Sequence, residues 1–438
     1  MTKIVFHLGD RKSGSTAIQS TLSSGAWKCD SVKLQYPLAR TESHYALAKC
    51  VHGIGRQADM ANQPDAARLF GDVVARIKAA SADVAIISSE HFEEVDPVVL
   101  KAAIQTFMPE FADTARYIAY VRPHAERIAS SFSERVKQGA FFGSMEELHR
   151  QSSAGLRFTY TQRFLKWRAA FGPAFELRPM IRDLVLRKDV VADFLHFALQ
   201  TEDFSLAAAP DSNDSLSLEN LAIVRQLQLR LRAGQEKYRD YQTAIGRALA
   251  RRMNDSAYRD GTRVRIHKAL AEQVRDHYAE DAAALDAAFF KGTPMTDALN
   301  TAPDKAEAAA QSVRIEDHFS DREQYLINTF VDQTAVLINA DPDFLAEKLR
   351  TEHRSKVIAD EDHDEAEKPV RRRGGKGGKG GRRANAGAEV GAVAEAGAAI
   401  GSAKGKGKGA GKAGAKPGGR RAGAGWANRV KPTTTGEE

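Results

Sequence analysis

The residues best placed to do chemistry are Lys12, Ser13, Gly14, Ser15 and Thr16, inside the stretch KIVFHLGDRKSGSTAIQSTL from Lys3 to Leu22. A lysine, three hydroxyls and a glycine in one short loop suit the capture of a phosphate-like anion. Lys12 supplies a full positive charge, and Ser13, Ser15 and Thr16 supply hydroxyl donors. The flanking residues strengthen the case. Lys3 to Leu8 is a short apolar run that reads as a buried strand. Ala17, Ile18 and Leu22 fit a helix that Ser15 and Thr16 would open. A strand, a glycine-containing loop and a helix together point free backbone N–H groups and the positive end of a helix dipole at an anion. The loop is not of the Walker A type, because there the lysine follows the second glycine, whereas Lys12 precedes Gly14.

A second anion site is legible further on. Arg122 ends the buried run RYIAYV and opens the stretch VRPHAERIASSFSERVKQG, which carries Ser130 and Ser131. A planar guanidinium at a strand end and a serine hydroxyl two helical turns later, at Ser130, can converge on one phosphate. Read alone, Arg122 could equally cap a neighbouring helix.

The elements that must position these residues follow from hydrophobic pattern. Val84 to Ser89 is near-continuously apolar and ends in Glu90-His91; Arg116 to Val121 is another such run. Val32 to Tyr36 alternates and reads as a further strand, and Phe175 to Leu177 as a last short one. Helices are expected over Thr41 to Val51, Pro64 to Ala80, Pro123 to Gln138, Tyr160 to Phe171 and Val190 to Leu199. Asp96-Pro97 starts another. Strands separated by helices predict an α/β domain with a parallel sheet. Ligands of such sheets sit at the carboxyl ends of the strands. The Lys12 loop, Glu90-His91 and Arg122 all fall there. Beyond residue 140 the pattern is mainly helical, with long helices expected around Leu218 to Arg232, Arg263 to Phe290 and Arg322 to Leu349, and a linking region over Pro294 to Gln311.

The formal charge of +7 on 438 residues hides a division. Residues 368–438 hold 17 basic and 4 acidic side chains, and residues 1–367 hold 47 basic and 53 acidic. The body is mildly acidic, so the basicity does not mark it as a nucleic-acid binder. Twenty of the 34 glycines lie between Gly374 and Gly436. That composition predicts a disordered polycation able to contact nucleic acid, an anionic polysaccharide or an acidic membrane surface, or a solubilising tail with no dedicated partner. Two cysteines, Cys29 and Cys50, make neither a disulfide framework nor a metal-ligand spacing. No apolar run approaches the roughly 20 residues that span a bilayer. The first residues enter a strand at once, and the expectation is a cytoplasmic protein.

Taken together, the strand-KSGST-helix unit and the Arg-x7-Ser spacing after a buried strand resemble the two phosphate sites of sulfotransferases, which take a sulfuryl group from 3′-phosphoadenosine 5′-phosphosulfate (PAPS). The blocks FHLGDRKSGSTAIQ, AIISSEHF, YVRPHAERIASSF, FELRPM with VVADFLHF, and SNDSLSLENLAIVRQL are similar to bacterial sulfotransferase-like proteins in the same order, over roughly residues 3 to 290. The resemblance implies a P-loop-like α/β core. It implies that Lys12 contacts the 5′-phosphosulfate and that Ser13, Gly14, Ser15 and Thr16 donate to the same group, while Arg122 and Ser130 hold the 3′-phosphate. Serine at position 15 departs from the threonine frequent in the family. Lys291-Gly292 is only a fragment of the family's C-terminal Arg-Lys-Gly element. A base must also take the acceptor's proton; Glu90 is the first candidate, His44 the second and His91 the third. The chemistry calls for no metal.

The expectation is therefore an α/β core over 1–200, a mainly helical extension over 201–355 and a disordered acidic-then-basic tail over 356–438. The activity expected is PAPS-dependent sulfuryl transfer to a hydroxyl or amine, with carbohydrate as the family-level acceptor. Two rivals stand beside it. One is a nucleotide-dependent phosphoryl transferase using the same loop. The other is a non-catalytic protein whose basic tail binds a polyanion.

Overall fold

The computed structural model describes residues 2–38, 43–54, 63–207, 215–233, 240–254, 261–345 and 347–349. The expected tail over 356–438 lies outside them. The described residues fall within one compact unit. In chain order its elements are β1 (Lys3–His7), α1 (Ser15–Ser24), β2 (Trp27–Lys28), β3 (Leu34–Gln35), α2 (Tyr45–Ile54), α3 (Pro64–Ala80), β4 (Val84–Ser88), α4 (Pro97–Phe107), β5 (Arg116–Val121) and α5 (His124–Lys137). There follow α6 (Met145–Ser153), α7 (Tyr160–Phe171), β6 (Phe175–Pro179), α8 (Val190–Leu199), β7 (Ser205–Leu206), α9 (Leu218–Arg232), α10 (Asp240–Asn254), α11 (Lys268–Phe289), α12 (Pro294–Asn300) and α13 (Asp321–Ala340).

The apolar runs form one five-stranded sheet in the order β3-β4-β1-β5-β6, every pairing parallel. β1 lies at its centre, with Lys3 to His7 opposite Val84 to Ser88 on one side and Val5 to His7 opposite Arg116 to Ile118 on the other. Its side chains alternate between two buried faces. Val5, Ile86, Ile118 and Tyr120 pack under Ile18 and Leu22 of α1 and Val191, Phe194 and Leu195 of α8. Ile4, Phe6, Ile87, Ala119 and Val121 pack against α2, α3, α4, α5 and α7 through Leu47, Phe70, Leu100, Ile128 and Phe164. Burial on both faces explains why these strands read as continuous hydrophobic runs.

The chain leaves β1 toward β3 on one side and leaves β5 toward β6 on the other. The connections after these two neighbouring strands diverge, which opens a crevice at their carboxyl ends. The loop holding Lys12 and the segment opening with Arg122 follow these two strands and so stand side by side at that end of the sheet.

The helices after residue 200 pack partly into the core beside the sheet and partly into a cluster of their own. Leu221 and Val224 of α9, and Leu270, Val274 and Tyr278 of α11, share the hydrophobic cluster of Ile4 and Phe6. Asp281 on α11 accepts the N–H groups of Tyr160 at 2.8 Å and Thr161 at 3.0 Å, and so caps α7. A smaller cluster joins α9, α10 and α13 through Leu231, Ile245 and Val331. The linking region expected over Pro294 to Gln311 contains the short helix α12. Helices α6 and α10, and the small antiparallel β2–β7 pair, were not expected from the sequence.

Candidate anion-binding site

The turn between β1 and α1 depends on three left-handed residues, Gly9 at φ 74°, Lys12 at φ 65° and Gly14 at φ 87°. A Cβ on Gly9 would lie 2.5 Å from the Glu90 Cα, and one on Gly14 would lie 2.8 Å from Val190 Cγ1. Glycine is required at both for close approach as well as for conformation. Lys12 holds a strained backbone without that excuse, at a cost of about 1–3 kcal/mol.

What holds it is an ion cluster under the loop. The buried Asp10 carboxylate sits 3.2 Å from Arg127 Nη1 and accepts both Nη atoms of Arg163 at 3.3 Å. Glu93 receives the Arg11 N–H at 3.2 Å and lies 3.5 Å from Arg127 Nη2. Arg127 is 1% exposed, so its charge is fully committed to these partners. Burial alone would raise the Asp10 pKa, but Arg127 and Arg163 overcome that and hold it at about 2.

The structure divides the expected ligand-binding residues into two sets. Ser13 and Ser15 are buried, and both hydroxyls donate to the Asp10 carbonyl, the second at 3.4 Å. Their side chains brace the loop. Lys12, Gly14 and Thr16 remain accessible. Gly14 occupies the N-cap of α1 and gives no side-chain cap, so the first N–H groups of that helix are left for another partner. Lys12 Nζ, in a side chain 30% exposed, pairs with Glu134 Oε2 at 3.2 Å; Lys137 Nζ contacts the same oxygen at 2.7 Å. These two ammonium groups more than offset the effect of burial and draw the Glu134 pKa down to about 2. Burial, the larger influence, lowers the Lys12 pKa, with Arg122 adding to it.

Arg122 faces the same crevice. Its Nη2 lies 3.7 Å from Met180 Sδ, and Met180 Cε would be 3.3 Å from a Cβ at Gly14. One methionine thus bridges Arg122 and the Lys12 loop. The buried Nε–H of Arg122 donates to no acceptor among the described residues. Burial lowers the Arg122 pKa, and the opposing charge of Glu126 does not offset that. On α5, Arg127 reaches Asp10 and Glu134 reaches Lys12, so the stripe they define faces the loop. Ser130 lies on that stripe between them.

The three base candidates are placed differently. Glu90 stands against Gly9, and Gln19 Nε2 reaches its Oε2 at 3.4 Å while also donating to Ser88 Oγ at 3.0 Å. His44 is buried, and its Nδ1 accepts the Ser88 N–H at 3.1 Å. That bond occupies the ring's lone pair, and burial lowers the pKa to about 4. His44 is thereby a neutral donor and is poorly suited to take a proton. His91 Nδ1 meets Arg11 Nη2 at 3.0 Å, and its Nε2 lies 3.8 Å from Glu90.

Asp10, Gln19, Arg127, Glu134 and Arg163 are site residues that sequence reasoning missed. Asp10 offered a signal, an acid inside a loop otherwise suited to anions. Among the described residues no group of three or more His, Cys, Asp and Glu gathers as a metal site would need. No described helix is long and apolar enough to cross a membrane. Comparison of the chain with family models, curated proteins and solved structures finds no match. The resemblance to sulfotransferases therefore rests on the quoted sequence motifs alone.

Proposed function

We propose that this chain is a PAPS-dependent sulfotransferase acting on a hydroxyl or amine, with a P-loop-like core. One observation carries the reading: two separate cationic groups, Lys12 with the uncapped start of α1 and Arg122 held only by Met180 Sδ at its guanidinium, stand together at the carboxyl end of a parallel sheet. A donor with an anion at each end needs that pairing. PAPS would supply the sulfuryl group, whose bond to the 5′-phosphate breaks as the acceptor's bond to sulfur forms. Lys12 and the N–H groups at the start of α1 stabilise charge on the leaving phosphate. Thr16 adds a hydroxyl. Arg122 and Ser130 bind the 3′-phosphate. Glu90 takes the acceptor's proton, and Gln19 orients its carboxylate. His44 supports the floor of the site by fixing the end of β4.

Lys12 must leave Glu134 to serve a ligand, and Lys137 remains to neutralise that carboxylate. The test is transfer of sulfur label from PAPS to a panel of sugar, phenol and amine acceptors. Transfer is expected in the wild type and absent in Lys12→Ala. Glu90→Gln should lower kcat about 10²–10⁴-fold while donor binding is kept. Transfer undiminished in Lys12→Ala would remove the loop assignment.

A further inference from the structure

A line of buried polar groups runs from the sheet to Glu90. His7 and Ser88, the last residues of β1 and β4, lie opposite each other in register, and both are fully buried. Alternation along the strands puts them with Val5 and Ile86 on the face covered by α1 and α8. His7 Nδ1 lies 2.8 Å from Ser88 Oγ. From α1, the buried Gln19 amide donates to the same oxygen at 3.0 Å and to Glu90 Oε2 at 3.4 Å.

The direction of these bonds follows from the hydrogens available to them. Among the described residues Ser88 Oγ meets only His7 and Gln19. With the imidazole proton on Nδ1, the Ser88 oxygen would accept twice and its own O–H would find no acceptor. The lone pair of Nε2, which has no partner, would also go unused. With the proton on Nε2, Nδ1 accepts the Ser88 O–H. One N–H is then the only group left over, on a ring packed against Phe194 and Tyr120. The second arrangement leaves fewer buried groups unpaired and prevails. Burial also pulls the His7 pKa down to about 3, so the ring keeps its lone pair at neutral pH. A hydroxyl spent on His7 offers Gln19 only a lone pair. Gln19 must then turn its NH2 group and not its carbonyl toward Ser88, and the second N–H of that group is the one that meets Glu90. An N–H at this position favours the ionised carboxylate, the form that can take a proton.

We propose that His7 and Ser88 are positioning residues, which keep Glu90 ionised by setting the orientation of the Gln19 amide. This role rests on Glu90 being the base of the proposed transfer, yet its first test does not use that reaction. In full-length protein carrying carbon-13 at the glutamate carboxyls, the Glu90 signal is assigned with Glu90→Gln. Its titration is then followed by NMR, with circular dichroism to verify folding. His91 lies 3.8 Å from Glu90 and is itself surrounded by Arg11, Glu94 and Lys49; none of the four is altered in the test variants. His7→Phe frees the Ser88 O–H to turn to the Gln19 carbonyl, so that the amide flips and the Glu90 titration midpoint rises by about one pH unit. His7→Asn, whose carbonyl oxygen can accept in place of Nδ1, should restore it. Ser88→Ala should raise it as well, and adding His7→Phe to Ser88→Ala should change nothing further, because no hydroxyl is left to direct. The acidic limb of the pH profile of kcat for sulfuryl transfer should move with the midpoint. An unmoved midpoint in folded Ser88→Ala, no recovery in His7→Asn, or full additivity of the two substitutions overturns the proposal. A midpoint that moves while the transfer profile stays fixed upholds the role of His7 and Ser88 and removes Glu90 as the base.

Discussion

Asp10 shows how much of the site depends on single charges. It is buried between two guanidinium groups, and Arg127 has no route to water. Asp10→Ala should cost about 3–5 kcal/mol, because it leaves buried cations without their anion; urea unfolding reads this directly. Lys12→Gly is expected to do the opposite. It relieves a left-handed non-glycine residue, while Lys137 still balances Glu134, so stability should be unchanged or higher as anion binding falls. A stability loss matching that of Asp10→Ala would mean that Lys12 is structural. His44 sets a pH dependence. Unfolded, it takes a proton as pH falls through its ordinary 6.5; folded, burial keeps it neutral to about 4. The unfolded state then binds more protons, so stability is full above pH 6.5 and falls by about 3 kcal/mol toward pH 4. His7, buried and pulled down to about 3, acts in the same direction. In His44→Gln the unfolding free energy should lose part of this slope, and an unchanged slope would place the titration elsewhere. At this scale the sequence was legible only in part. Lys12 and Arg122 stand out by type and position, but the Asp10 partners are 117 and 153 residues away and Glu134 is 122 residues from Lys12. No local pattern encodes such pairs.

The β1–α1 turn is the element whose shape matters most. Gly14→Ala adds a methyl against Val190 and forces alanine to φ 87°, so it should destabilise by about 1–3 kcal/mol and weaken anion binding with it. Gly9→Ala meets backbone at Glu90, which yields less readily than a side chain, and should be the more damaging of the two. Equal tolerance of both in thermal unfolding would contradict the close packing of loop and strand end. The elements themselves were largely readable. β1, β4 and β5 are uninterrupted apolar runs because both faces are covered. Helices α3, α8 and α9 keep the expected limits, since an apolar stripe and clear end signals bound each of them. Helix α10 escaped notice because it is rich in arginine and includes Gly246. That glycine is there for contact, since a Cβ on it would meet the Lys137 carbonyl oxygen at the end of α5. The β2–β7 pair is two residues long on each side, too short to leave a periodic signal.

For the whole molecule, the parallel sheet was foreseeable from alternating strands and helices, but the sharing of one core across residue 200 was not. Leu270, Val274 and Tyr278 join the core begun by Ile4 and Phe6, while Leu231, Ile245 and Val331 form a cluster of their own. The crevice is the product of that whole arrangement, because only the diverging connections after β1 and β5 bring Lys12 and Arg122 side by side at that end of the sheet. The central claim is that these two groups together hold a nucleotide with anions at both ends. Calorimetric titration with adenosine 3′,5′-bisphosphate, alongside ATP with magnesium, tests it most directly. The account predicts binding of the bisphosphate in preference to ATP, weakened about 10- to 100-fold in Lys12→Ala and in Arg122→Ala, as loss of a charged hydrogen bond implies. No binding of the bisphosphate, a preference for ATP, or full affinity in both variants would contradict it.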